Sequence, residues 1–456
     1  MGGVALSRWT MSYFAAALAA LIAAESLMAS GYGYPAAPVG APETLVLVHI
    51  VAIGWLSLLM CGALFQFVPV LIARPLYSNS LPLPILGCLV AGLLALVSGF
   101  LQLAGRVTLD VAFFPIAAGL LGAGFCLVLW NLGRTLWAAR PLALPARFVV
   151  AGLFSVGATV LFGIVFALVL GGVTAYPHFL DLTAMGLPIH VIAGLGGWLT
   201  FTAMGVSYRL LAMFMLAPEL DRATTRGAFY AGASGLALVI VGGALAICFG
   251  GSLKLALGIG GFLGLSALGL YGGDILHLYR ARKRRTIELN SRMAAIALAN
   301  LAAAAILIVI LLAIGTLGRN VAAVVFLVSF GWLSGLGLSQ LFKIVAFLTW
   351  LECYGPVLGK TATPRVQDLV VEHRAIKWFA LYFLAVWAAT ATLLLDQLPA
   401  FRITAAVMVI ATGGIVVQLV RTRRLADVSA ALRLPNGARA PRLLLPWNHM
   451  PERRPS

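Results

Sequence analysis

The sequence predicts an all-α integral membrane protein in which twelve transmembrane helices form three four-helix arcs with pseudo-threefold symmetry. Three features of the sequence predict this fold: a strongly apolar composition, basic residues confined to every second connection between apolar runs, and a motif that recurs at every fourth run. The composition indicates the solvent of the protein, the basic residues indicate its topology, and the motif indicates an internal repeat.

The composition indicates that lipid is part of the solvent. Of the 456 residues, 62% are hydrophobic and only 10% are charged, and the mean hydropathy is +1.03. A soluble domain has roughly 25% charged residues. The chain therefore leaves no room for a sizeable soluble domain. The net charge of +17 does not indicate a nucleic-acid partner, because the basic residues lie in short connections and the tail, where membrane proteins use them for orientation.

Twelve apolar runs are each long enough to cross a ~30 Å hydrocarbon core as a helix. The first run contains Glu25 and is followed at once by another, so we interpret it as a retained span and not as a cleaved signal peptide. The predicted spans cover about 11–30, 44–72, 82–105, 110–133, 148–172, 183–216, 227–250, 253–279, 293–318, 321–350, 375–395 and 402–420.

The basic residues predict the orientation of these spans. On the side of the N-terminus lie 26 of the 31 Lys and Arg residues; four lie on the other side, and Lys343 falls inside span 10. The positive-inside rule then places both termini in the cytoplasm, in a bacterial-type inner membrane. We expect a membrane domain over 1–424 and a basic cytoplasmic tail over 425–456. The tail is interpreted as an anchor against anionic headgroups, with docking of a partner as the alternative.

A motif centred on a tryptophan recurs in spans 2, 6 and 10. Each copy has Gly at −1 from the Trp, Leu at +1, Ser or Thr at +2, an aromatic residue at +10 and a long polar residue at +11. Spans 2, 6 and 10 are four apart, so the predicted unit is four helices used three times, over about 11–133, 148–279 and 293–420. The motif itself could be a packing element only. The tryptophans are Trp55, Trp198 and Trp332, and the +11 residues, expected to pair with lipid or within the protein, are Gln66, Arg209 and Lys343.

Two histidines precede the first two copies of this motif. His49 enters span 2 and His190 enters span 6. With the twelve spans and the Gly-Trp-Leu-Ser segment, they resemble subunit I of the heme-copper oxidase superfamily. The resemblance implies a heme or copper cofactor at these residues. Spans 7 and 10 contain no His, however, and Gly194 stands where many oxidases have a Tyr. The chain is therefore similar to divergent, NnrS-type members, and we expect no oxygen reduction by the family mechanism.

Three further residues are candidates for proton relay or for support of the ligands. Glu25 lies in the outer half of span 1, where a carboxylate is costly; it could pair with His49, or extend to the outer surface. Asp274 and His277 are three residues apart near the inner end of span 8. They share a helix face and could form a proton entry pair or a metal site. Their nearness to Arg280 and Arg282 favours a cytoplasmic ion-pair cluster.

The sequence leaves three functions open. The first is a heme- or copper-binding protein in respiratory, nitric oxide-related or cofactor-assembly processes, with His49 and His190 as ligands. The second is a cofactor-free transporter or channel on the same scaffold. The third is a structural subunit of a membrane complex. The expected partners are the lipid bilayer and a redox or assembly subunit.

Overall fold

The computed structural model describes residues 9–442, and within that range all of the regular secondary structure is helical. Twelve of its helices are long and apolar enough to cross a membrane. These spans, numbered 1 to 12, are Thr10–Ser30, Pro42–Ile72, Pro82–Leu103, Phe113–Trp137, Leu144–Leu170, Leu187–Met215, Ala223–Cys248, Leu253–Arg280, Leu289–Ala313, Leu317–Val357, Glu372–Leu394 and Leu398–Arg423.

The number of spans is confirmed, and their ends mostly agree with the sequence prediction within a few residues. Two connections differ. Residues 183–185, predicted to open span 6, belong to a separate short helix, Pro177–Met185, because Gly186 and Pro188 interrupt the run. Span 10 was predicted to stop at about residue 350, but its α-helical part continues to Tyr354 and a short 3-10 turn carries it to Val357.

The two ends of the bundle differ in charge. We call the end at which span 1 begins the basic face and the other end the opposite face. The connection between spans 8 and 9, on the basic face, contains Arg282, Lys283, Arg284 and Arg285. On the opposite face, the first five odd-numbered spans end at a glycine with positive φ, as helix C-termini commonly do; these are Gly31, Gly105, Gly172, Gly250 and Gly315.

Spans 2, 6 and 10 contact one another and occupy the centre of the bundle. Around them, span 1 packs against span 12, span 4 against span 5, and span 8 against span 9. In each of the three central spans the motif lies in a π-helical segment, Ile50–Ser57, Ile192–Phe201 or Leu327–Ser334. π-helical turns are rare, and those that occur are often at functional sites. The three copies of the tryptophan motif therefore share a backbone irregularity as well as a sequence pattern.

Candidate functional site

The tryptophan motif joins the three central spans by hydrogen bonds. The indole Nε1 of Trp55 donates to the hydroxyl of Ser334 at 2.7 Å, and Nε1 of Trp198 donates to the hydroxyl of Ser57 at 3.0 Å. The +2 residue of one copy is thus the acceptor for the tryptophan of another. The third tryptophan, Trp332, is fully buried, and its Nε1 has no hydrogen-bond partner among residues 9–442.

The glycine at −1 explains how closely each central span approaches the first span of its repeat. A Cβ at Gly54 would lie 2.9 Å from the Cβ of Ala20 in span 1. At Gly197 it would lie 2.4 Å from the Cβ of Ser155 in span 5. The third copy follows the same relation, with 3.2 Å between a Cβ at Gly331 and that of Asn300 in span 9. Glycine at this position lets the backbones approach.

Side chains of neighbouring spans donate hydrogen bonds to two carbonyl groups in the π-helical segment of span 10. Nδ2 of Asn300 donates to the Gly331 carbonyl at 3.0 Å, and the hydroxyl of Tyr382 in span 11 donates to the Phe330 carbonyl at 3.0 Å. Because unpaired carbonyls are costly in lipid, these two side chains stabilise the irregular turn.

His49 is held by its own helix. Its Nδ1 lies 2.7 Å from the Leu45 carbonyl, and its ring stacks on Phe100 of span 3 with 5.2 Å between ring centroids. A carbonyl can only accept a hydrogen bond, so Nδ1 is the protonated nitrogen. The lone pair of the imidazole is therefore on Nε2. Metal-binding histidines commonly have this arrangement, in which one ring nitrogen donates to a backbone carbonyl and the other faces the metal.

His190 lies against span 5. Its ring packs on Phe166 with 5.4 Å between centroids, and the Thr159 carbonyl is within hydrogen-bonding reach. Its Nδ1 has no hydrogen-bond partner in the described part of the chain. We therefore assign the proton to Nε2 and the lone pair to Nδ1. The ring is also near enough to His49 that charges on the two would repel.

These two imidazoles form the candidate site on the opposite face of the bundle. Among residues 9–442, no group of three or more His, Cys, Asp and Glu side chains is placed to hold a metal ion. The donor set is therefore a pair of neutral imidazoles, which suits copper.

The structure places Glu25 away from His49. Its side chain is fully buried, and its Oε1 accepts a hydrogen bond from Thr412 of span 12 at 2.9 Å. Its Oε2 has no hydrogen-bond partner within residues 9–442. Neither of the two alternatives weighed from the sequence describes this side chain: the carboxyl neither bonds to His49 nor reaches the surface. The contact with Thr412, 387 residues away, could not be read from the sequence.

Asp274 is a buried structural carboxylate. Its two oxygens accept hydrogen bonds from the hydroxyls of Tyr208 at 3.0 Å, Thr224 at 2.6 Å and Thr225 at 2.8 Å. A guanidinium nitrogen of Arg222 lies 4.0 Å away. His277 is not among these partners. Asp274 has a basic neighbour, but it is Arg222 and not the expected Arg280 or Arg282. The hydroxyl donors come from span 6, with Tyr208, and from the start of span 7.

Two of the three +11 residues form ion pairs at the basic face. Lys343 pairs with Glu288 at 2.6 Å, and Arg209 pairs with Glu219. Gln66 is buried. The sequence predicted that the +11 residues would pair either with lipid or within the protein. Both basic residues pair within the protein.

The first part of the tail packs on the protein. Leu425 and Val428 lie in a small apolar cluster with Cys353 of span 10. Hydrogen bonds from Arg421, together with the nearby Arg374, hold the pKa of Asp427 below its usual range. The tail residues beyond 442, which the lipid-anchor prediction includes, lie outside the described residues. No family model matches this chain, and no curated protein was found to be similar to it.

Proposed function

We propose that this chain is a divergent protein with the heme-copper oxidase scaffold, lying in a bacterial inner membrane with both termini in the cytoplasm. Three four-helix arcs, one for each repeat, meet at their second helices, which are the central spans 2, 6 and 10. Three findings support this arrangement. The tryptophan motif recurs in those spans, its Gly at −1 always meets the first span of its own repeat, and its hydroxyl at +2 receives the tryptophan of another repeat in two of the three copies.

The site of this proposal is the pair of imidazoles, and its ligand is copper in the cuprous state. The observation that carries it is that His49 and His190 lie at the same end of two central spans, and each keeps one nitrogen lone pair free of a hydrogen-bond donor. Imidazole is a good ligand for copper, and carbonyls on Leu45 and Thr159 would fix both rings. A bound cuprous ion supplies a soft electrophilic centre that exchanges ligands.

A copper site with so few ligands favours a role in copper handling or cofactor assembly over catalysis. The sequence has no His in spans 7 and 10, so the ligands that the resembling family uses to reduce oxygen are missing. A two-ligand ion can be passed to a partner that offers a third or fourth ligand. We therefore place the protein in the assembly of a respiratory or nitric oxide-related copper enzyme, with a partner subunit as acceptor.

The test is titration of the purified, detergent-solubilised protein with cuprous ion against a coloured cuprous chelator. We expect one ion per chain, and loss of that ion in both His49→Ala and His190→Ala. His373→Ala, an exposed histidine on the basic face, is the matched control and should bind like wild type. X-ray absorption should report nitrogen ligands. Unchanged binding in the two variants, or a heme Soret band in the purified protein, would reject the copper site.

A further inference from the structure

Glu25 is a fully buried carboxyl group with half of its hydrogen-bonding capacity unused. Its side chain is 0% exposed, in the half of span 1 nearer the opposite face. Thr412 bonds to Oε1, while Oε2 has no partner among the described residues. No basic side chain forms an ion pair with it within residues 9–442. An isolated carboxylate in such a place is unstable by several kcal/mol relative to its neutral form.

The charged and titratable groups on the neighbouring spans do not supply a counter-ion. Arg402 of span 12 donates instead to the Ala29 carbonyl. His49 of span 2 is held at the Leu45 carbonyl. Span 11 contributes Tyr382, which interacts electrostatically with Glu25 but carries no positive charge.

Asp274 shows how the same protein surrounds another buried carboxyl group. It is 1% exposed, and three hydroxyls donate to it while a guanidinium lies 4.0 Å away. Asp274 belongs to span 8, but its side chain contacts the N-terminus of span 7, where the helix dipole favours a negative charge. Glu25 has one hydroxyl donor in place of these groups. Two equally buried carboxyls thus have opposite environments, and only one of them has the donors that a negative charge requires.

The hydroxyl groups of Tyr382 and Ser334 do not complete the hydrogen bonding of Glu25. The Tyr382 hydroxyl donates to the Phe330 carbonyl at 3.0 Å, and the Ser334 hydroxyl donates to the Ser329 carbonyl at 2.7 Å. Among the described residues, Thr412 is therefore the one side chain that bonds to the Glu25 carboxyl group.

We propose that Glu25 is a proton-binding site within the membrane. The proton resides on Oε2, and the neutral acid is the form that these surroundings favour. The ligand class is the proton, and a movement that brought a hydrogen-bond donor to Oε2 would favour its release. This site does not depend on copper binding at His49 and His190.

The first test uses dicyclohexylcarbodiimide, which modifies protonated carboxyl groups in apolar surroundings, on the full-length protein in detergent. Peptide mass spectrometry should find the adduct at Glu25 and at least about tenfold less at Asp274, since a tenfold difference in population needs only ~1.4 kcal/mol. Glu25→Gln should remove the adduct. Equal labelling of the two carboxyls, or none at Glu25, would overturn the proposal. If sodium chloride protected Glu25 from labelling and choline chloride did not, the proposal would also be overturned, in favour of a sodium site.

The second test reads the proton directly by infrared spectroscopy. Wild type should show a carboxylic-acid C=O band that Glu25→Gln lacks. In Thr412→Val the band should persist to higher pH, because the hydroxyl that stabilises the anion is gone. Absence of the band in wild type, or its persistence in Glu25→Gln, would overturn the proton site.

Discussion

The indole nitrogen of Trp55 in span 2 donates a hydrogen bond to the hydroxyl of Ser334 in span 10, 279 residues later. The same relation joins Trp198 in span 6 to Ser57 in span 2. Each bond links position 0 of one copy of the motif to position +2 of another. A motif that is merely a local packing element would not need a hydroxyl at +2, so the serines at +2 of the first and third copies, Ser57 and Ser334, are explained by contacts between repeats.

These bonds predict an asymmetric response to loss of the hydroxyl. Ser57→Ala and Ser334→Ala each leave a buried indole N–H without its acceptor, and we expect each to lower the free energy of unfolding by about 1 kcal/mol. Thr200→Val, at +2 of the second copy, is the matched control, since the Trp332 Nε1 has no hydrogen-bond partner in the part of the chain that the structure describes. Thermal unfolding in detergent measures all three. A Thr200→Val variant as unstable as the other two would mean that Trp332 does use Thr200.

The glycine at −1 predicts a graded series of alanine variants. Gly197→Ala should be the most damaging, because its new methyl would lie 2.4 Å from Ser155 and both backbones are fixed. Gly54→Ala should follow, with its methyl 2.9 Å from Ala20. Overpacking of this kind costs about 1–3 kcal/mol. Gly119→Ala in span 4, which has open space around it, should be neutral or slightly stabilising. An equal loss of stability in all three would contradict this account of the −1 position.

The sequence predicts the parts of this fold that depend on one helix at a time. The length of the apolar runs predicts the twelve spans, and the recurring Trp motif distinguishes spans 2, 6 and 10 from the others. The sequence does not predict the contacts between spans that are far apart in the chain. The bond from Thr412 to Glu25 depends on how spans 1 and 12 are rotated about their axes, and neither span shows a strong apolar stripe that would fix this rotation. His49 and Glu25 were candidates for a pair because they share a depth in the membrane, but depth alone does not bring two side chains together.

Docking of the tail predicts a pH dependence with a definite sign. Arg421 and Arg374 lower the pKa of Asp427 in the folded protein from its ordinary 3.8. The stabilisation is therefore present above that value and is lost as the pH falls through the lower pKa of the docked carboxyl.

Asp427→Asn should imitate this loss at neutral pH and speed tryptic cleavage at Arg433 and Arg439. Asp368→Asn, in an exposed pair with Arg365, is the control. Equal cleavage rates in wild type and Asp427→Asn would show that the tail docks without this ion pair.

Asp274 and His277 were predicted from the sequence as a possible relay pair, and the structure gives them different expected phenotypes. Asp274→Asn weakens three charge-assisted hydrogen bonds to Tyr208, Thr224 and Thr225 and should lower the free energy of unfolding by about 2–4 kcal/mol. His277→Ala removes a side chain outside that cluster and should change it by under about 0.5 kcal/mol. Thermal unfolding in detergent and the yield of folded protein measure both. An Asp274→Asn protein as stable as wild type would contradict this structural role.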